Sequence, residues 1–212
     1  MKILSHRGLW NTPEERNTYT ALKRSLDHGF GFESDIRDCN GQLVISHDPA
    51  REENLETAET VFKLLQKYEN QYCFAINIKS DGIGKIIAES LKESHLYNYF
   101  CFDMSVPQMI EYAKDGTRFF TRKSEYEPGI PVLFDQAAGV WVDAFEDESW
   151  ITKELLEEYL SQGKEVCLVS PELHARNHLP LWQRLKTSGL NLNHLILCTD
   201  LPREARSFFE GE

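Results

Sequence analysis

Five side chains near the start of the sequence have the types and spacing that chemistry at phosphorus would use. They are His6 and Arg7 in the opening SHRG, Glu33 and Asp35 in FESDI, and His47 in LVISHD. Two histidines aimed at one cavity supply a general base and a general acid: one takes the proton of an attacking hydroxyl and the other protonates the leaving oxygen. Glu33 and Asp35 are two positions apart in a strand-like run, so both carboxylates point to one face. Two hard oxygen donors on one face suit Mg2+ or Ca2+. Arg7 would neutralise a non-bridging phosphate oxygen, and a metal on Glu33 and Asp35 would stabilise the charge that builds up. His28, His95 and His194 lack such neighbours and are read as structural or surface residues.

The elements that must hold these groups follow from the hydrophobic rhythm. Short apolar runs alternate with helical-period stretches along the whole chain, the pattern of β/α units in a parallel sheet. Eight runs are strand candidates: Ile3 to Ser5, Gly31 to Ile36, Cys73 to Ile78, Phe100 to Met104, Arg118 to Thr121, Val140 to Asp143, Glu165 to Ser170 and Leu195 to Cys198. Helices are expected over Asn17 to Asp27, Thr57 to Tyr68, Ile83 to Ser94, Val106 to Lys114 and Thr152 to Ser161, with Gly29 and Gly163 as stops. Ser124 to Pro131, with Pro128, Gly129 and Pro131, reads as loop where the helix after the fifth strand would stand. The expected fold is an α/β (β/α)8 TIM barrel, one domain over residues 1–212. A doubly wound open sheet would want GxGxxG after the first strand, and HRGLWNTP does not supply it.

In such a barrel the reactive groups sit at the C-terminal strand ends. His6 and Arg7 end the first strand, Glu33 and Asp35 the second, Asn77 and Lys79 the third, Asp103 the fourth and Asp143 the sixth. Glu172 follows the seventh and Asp200 the eighth. The segment DIRDCNGQLVISHD is expected to form a small β-hairpin inserted after the second strand. With a two-residue Asn40-Gly41 loop, paired positions sum to 81 and His47 faces Ser34. With a three-residue loop, Cys39-Asn40-Gly41 and a G1 bulge, they sum to 80 and His47 lies opposite Glu33. The second arrangement is the expectation, because it brings the imidazole beside both carboxylates.

Composition sets the remaining bounds. A formal charge of −11 without a basic stripe argues against a nucleic-acid partner, so an anionic substrate must be held by local cations or a bound metal. No apolar run reaches the roughly 18 residues of a membrane span, and the run in MKILSHRG is too short for a signal peptide. These observations predict a cytoplasmic protein without membrane insertion, its oligomeric state left open. Cys39, Cys73, Cys101, Cys167 and Cys198 show no CxxC spacing and are read as small buried thiols. Trp10, Trp141 and Trp150 would either line a pocket or pack in the barrel.

Taken together, HRG at 6–8, NT at 17–18, ExD at 33–35, NG followed by LVISHD within 40–48, and TDLP at 199–202 resemble the glycerophosphodiester phosphodiesterase family, a branch of the phosphatidylinositol-phospholipase-C-like barrels. The match is strongest over Met1 to Pro49. The resemblance implies a hydrolase dependent on Mg2+ or Ca2+ that acts on a small glycerol-, inositol- or sugar-linked phosphodiester beside a hydroxyl. It implies His6 and His47 as acid and base, Arg7 and Lys79 as phosphate-binding cations, and Glu33 and Asp35 as metal ligands. Two positions depart from the family pattern. Arg16-Asn17-Thr18 stands where ENT is usual, and Asn77-Ile78-Lys79 where ExK is usual, so the third metal ligand becomes the neutral amide of Asn77 and metal affinity should fall. Asp103, or Glu172 in the unusual segment SPELH, would supply the missing charge, and Glu172 with His174 would read the substrate's leaving group. The competing reading is a degenerate barrel that binds a phosphorylated ligand without cleaving it.

Overall fold

The computed structural model describes residues 1–50 and 55–211. The fold is a (β/α)8 barrel, as the alternation predicts. Its strands are β1 (Lys2–His6), β2 (Gly31–Cys39), β3 (Gln42–Ile45), β4 (Phe74–Ile78), β5 (Tyr99–Phe102), β6 (Phe120–Lys123), β7 (Gly139–Val142), β8 (Glu165–Val169) and β9 (Leu195–Thr199). The order in the sheet is β5-β4-β2-β1-β9-β8-β7-β6, with β3 off that path and paired to β2. The chain divides into two compact units, Leu4–Phe119 and Met1–Ile3 with Phe120–Glu212.

In Leu4–Phe119, β1 pairs with β2, β2 with β4 and β4 with β5, all in parallel. Between the strands run α1 (Tyr19–Asp27), α2 (Ala58–Lys67), α3 (Gly84–Glu93) and α4 (Val106–Asp115). Thr18 and Thr57 cap α1 and α2 by accepting the backbone N–H groups of Ala21 and Thr60, which satisfies donors a helix start leaves open. The buried stripe of α2 is Ala58, Val61, Phe62, Leu64 and Leu65, and Phe62 meets Phe74 of β4 edge-on. Each large apolar side chain buried this way contributes about 1.5–3 kcal/mol. Strand β2 is buried at every position from Gly31 to Ile36. A strand covered on both faces ordinarily reads as a continuous apolar run. Here the run is broken by Glu33, Ser34 and Asp35, which stability alone does not explain.

The hairpin register differs from expectation. Ile36 pairs with Ile45, Arg37 with Val44, Asp38 with Leu43 and Cys39 with Gln42. The loop is therefore the two residues Asn40 and Gly41, at φ 50° and 80°. A type I′ turn needs left-handed backbone at both positions, and Asn-Gly supplies it without a bulge while matching the strand twist. The alternation that would set His47 opposite Glu33 is thus absent. After Ile45 the ladder ends with the Ser46 N–H on Asp35 O (3.0 Å), and His47 lies beyond it.

In the second unit β6 pairs with β7, β7 with β8 and β8 with β9, again in parallel. Its helices are α5 (Lys153–Ser161), α6 (Leu179–Thr187) and α7 (Pro202–Glu210). As the Pro/Gly content predicts, no α-helix stands between β6 and β7; the Thr121 hydroxyl donates to Val132 O (2.6 Å) and ties that loop to its strand. The strand read as Arg118 to Thr121 sits two residues later, while Phe119 bridges Cys101. No disulfide joins any of the five cysteines. Among the described residues no helix is long and apolar enough to cross a membrane.

Candidate active site

The site is built on the C-terminal ends of β1, β2 and β4, inside Leu4–Phe119. In the parallel ladder His6 is level with Glu33, and Asp35 with Asn77. Paired residues of neighbouring strands share a face, so sheet register alone gathers these groups. Glu33 and Asp35 are 1% and 0% exposed, and carboxylates so deeply buried must be compensated. The Arg7 backbone N–H donates to Glu33 Oε2 (3.1 Å), and His6 Nε2 lies 3.9 Å from the same oxygen. Asp35 accepts from Asn17 Nδ2 (2.9 Å), with Arg7 Nε at 3.2 Å and Lys79 Nζ at 3.5 Å.

The backbone around these groups is bent to present them. Arg7 is left-handed at φ 55° and is followed by Gly8 at φ 86°. A Cβ on Gly8 would stand 2.7 Å from the Ala21 carbonyl carbon of α1, so the glycine is required by conformation and by space. Asn17, also left-handed at φ 60°, ties the pieces together: its N–H donates to Arg7 O (2.9 Å), its amide to Asp35, and its Oδ1 accepts from Ser34 Oγ (2.8 Å). Sequence reading noted Asn17 as part of the NT pair and gave it no role. Strained backbone held this firmly at a cluster of charges is what a preorganised site requires. Arg16, in place of the usual acidic residue, carries its guanidinium 4.3 Å above the Trp10 ring.

Burial, and after it the negative charge of Asp35, pushes the Glu33 carboxyl up to about 7, against the opposing pull of His6 and Arg7. Three buried side-chain oxygens here have no hydrogen-bond partner: Glu33 Oε1, Asp35 Oδ1 and Asn77 Oδ1. Buried acceptors are rarely left unsatisfied; Asp35 Oδ1 meets the Lys79 ammonium, at 3.5 Å, and three oxygens on adjacent strands are the atom type a hard cation takes. Among the described residues no group of three or more His, Cys, Asp or Glu side chains gathers to hold a metal. The set is instead two carboxylates and one amide, and it fits Mg2+ or Ca2+ through oxygen.

The structure does not join His47 to this cluster. Its ring Nδ1 lies 2.9 Å from Asp48 Oδ1, its carbonyl accepts from Arg37 Nε (2.9 Å), and its side chain is 46% exposed. In the other unit Glu172 lies in a short 3-10 turn after β8. It accepts from the Thr199 hydroxyl and from the Asp200 N–H, while its Oε2 is buried without a partner. His174 Nε2 meets Asp143 Oδ1 at 2.7 Å. That pair is 31 residues apart; the sequence marks Asp143 by its place at a strand end and His174 by the SPELH segment, and nothing in it marks their contact.

The sequence matches no family model and no curated protein. Solved structures do resemble the chain. A glycerophosphodiester phosphodiesterase from Parabacteroides distasonis superposes with TM-score 0.75 at 15% identity, over 99% of this chain and 97% of that one. One from Agrobacterium tumefaciens gives 0.68 at 16%, over the full length of both. A phosphodiesterase from Oleispira antarctica, solved in complex with the product sn-glycerol-3-phosphate, gives 0.71 at 14%, over 99% and 97%. The chain has the fold of these enzymes from end to end.

Proposed function

We propose that this chain is a divergent glycerophosphodiester phosphodiesterase: a metal-dependent hydrolase, working as one catalytic domain, of a small glycerol-, inositol- or sugar-linked phosphodiester. The observation that carries the reading is the set of buried oxygens without a hydrogen-bond partner on Glu33, Asp35 and Asn77, that of Asp35 facing the Lys79 ammonium and its other oxygen facing Arg7. Those three residues would hold Mg2+ or Ca2+, which when bound supplies Lewis-acid stabilisation of the charge on the phosphoryl oxygens. Arg7 and Lys79 bind the phosphate, exchanging part of their contact with Asp35 for contact with its non-bridging oxygens. His6 takes the proton of the attacking hydroxyl, and the Glu33 carboxylate beside it stabilises the imidazolium that results. His47 protonates the leaving oxygen as its bond to phosphorus breaks, which leaves a cyclic phosphodiester that water then opens with the two histidines exchanging roles; Asp48 on Nδ1 orients the ring and leaves Nε2 as the transferring nitrogen.

A second reading, a barrel that binds a phosphorylated ligand without hydrolysing it, is favoured by the neutral Asn77 and by the separation of His47 from the carboxylates. Turnover of glycerophosphodiesters, which carry the attacking hydroxyl, with Mg2+ or Ca2+ decides between them. Under the hydrolase reading His6→Ala and His47→Ala each lower turnover by about 100-fold or more with an unchanged circular dichroism spectrum. Variants that turn over like the parent refute the proposed roles, and a parent that binds anion without turnover establishes the second reading.

A further inference from the structure

We propose that a divalent cation and the phosphodiester anion bind this site synergistically, each weakly alone, because Asn77 leaves the donor set one negative charge short and the anion supplies it. The inference rests on the metal-site reading above and concerns what that site demands of its ligands.

The contacts at the site leave no net negative charge. Glu33 and Asp35 contribute at most two negative charges, and Arg7 and Lys79, both against Asp35, contribute two positive ones. Asn77 Oδ1 offers a dipole and no charge. An arriving divalent ion must shed water into a nearly closed environment, since the three donor residues are 1%, 0% and 8% exposed, and it finds no net negative charge to offset its own. The number of charged ligands is the main control on affinity for such ions, so the ion alone binds weakly. The anion alone fares no better. It meets two cations already committed to Asp35 and two buried carboxylates that repel it. When both ligands are present each offsets the other, at short range and away from bulk water, where attraction between charges is strong. Because the coupling is a free energy of binding, it acts equally in both directions.

The frame holds its shape without either ligand. Asn17 fixes Asp35, Ser34 and the Arg7 carbonyl at once, and the Arg7 N–H fixes Glu33. Coupling therefore arises from charge rather than from one ligand folding the site for the other.

Calorimetric titration of the full chain tests this, with CaCl2 or MgCl2 as one ligand and dimethyl phosphate, a phosphodiester monoanion with no hydroxyl to attack, as the other, at constant ionic strength. Saturating dimethyl phosphate is expected to tighten metal binding about tenfold or more, and saturating metal to tighten dimethyl phosphate by the same factor. Asn77→Asp is expected to bind metal alone about tenfold tighter and to bring the coupling factor toward one. Metal affinity that is equal with and without dimethyl phosphate overturns the inference, and this comparison needs only the parent chain. Tight binding of metal by itself also overturns it while leaving the hydrolase reading intact. Absence of metal binding under every condition overturns both.

Discussion

Replacing Glu33 by Gln tests whether a buried charge is being held against its own cost. The carboxyl is raised from its ordinary 4.5 to about 7, by burial first and by Asp35 second. Between these two values the folded chain retains a proton that the unfolded chain releases. Glu33 therefore supports the fold fully below pH 4.5, loses that contribution as pH rises, and contributes nothing further above about 7. A displacement of this size corresponds to about 3 kcal/mol. The glutamine of the Glu33→Gln variant keeps a carbonyl oxygen for the Arg7 N–H and carries no charge to desolvate. In chelator-treated protein, Glu33→Gln should be more stable than the parent by about 3 kcal/mol at pH 8 and nearly equal to it at pH 4.5, a difference in Tm of roughly 10 °C at the upper end. Urea unfolding of both chains across that range, read as the difference between them, isolates this one group from every other titration. Parallel stability curves would show that Glu33 is compensated in the folded chain, and the argument from its burial would fail. Addition of Ca2+ or Mg2+ together with saturating dimethyl phosphate should narrow this difference at pH 8, because only the parent presents the carboxylate to the ion.

Asn17→Ala removes the 2.9 Å hydrogen bond to Asp35 and the acceptor for Ser34 Oγ, so thermal unfolding should show a loss of about 1–3 kcal/mol and steady-state kinetics a lower kcat. Two left-handed glycines should respond differently. Gly8→Ala drives a Cβ to 2.7 Å from α1 backbone, whereas Gly41 has nothing within 4 Å of where a Cβ would go. Denaturant titration should therefore find Gly41→Ala costing about 1 kcal/mol from backbone strain alone and Gly8→Ala substantially more; equal losses would mean that α1 can yield. Thr18→Ala removes the cap of α1 and should cost about 1 kcal/mol in the same assay.

Much of this protein is legible in the sequence because it rests on local rules. Strand and helix rhythm gives the barrel, Thr57 opens the helical stretch that becomes α2, and the two-residue spacing of Glu33 and Asp35 puts both on one face. The sequence reading names no helix over α6 or α7, whose first turns hold Pro180 and Pro202; proline resembles a breaker until its first-turn position is known. The Asn40-Gly41 dipeptide is itself a local signal for the two-residue turn that forms; the bulged loop follows only from the expectation that His47 stands beside the carboxylates.

Tertiary structure alone decided the rest. No spacing rule foretells that Asn17 would bind Asp35 across 18 residues, or that His174 would meet Asp143 across 31. Nor does one foretell that an oxygen on each of Glu33, Asp35 and Asn77 would be sealed from water without a hydrogen-bond partner. A side chain's direction on a strand is set by its immediate neighbours. Its desolvation and its partners are set by segments that the sheet brings together, and the physical character of the site resides there.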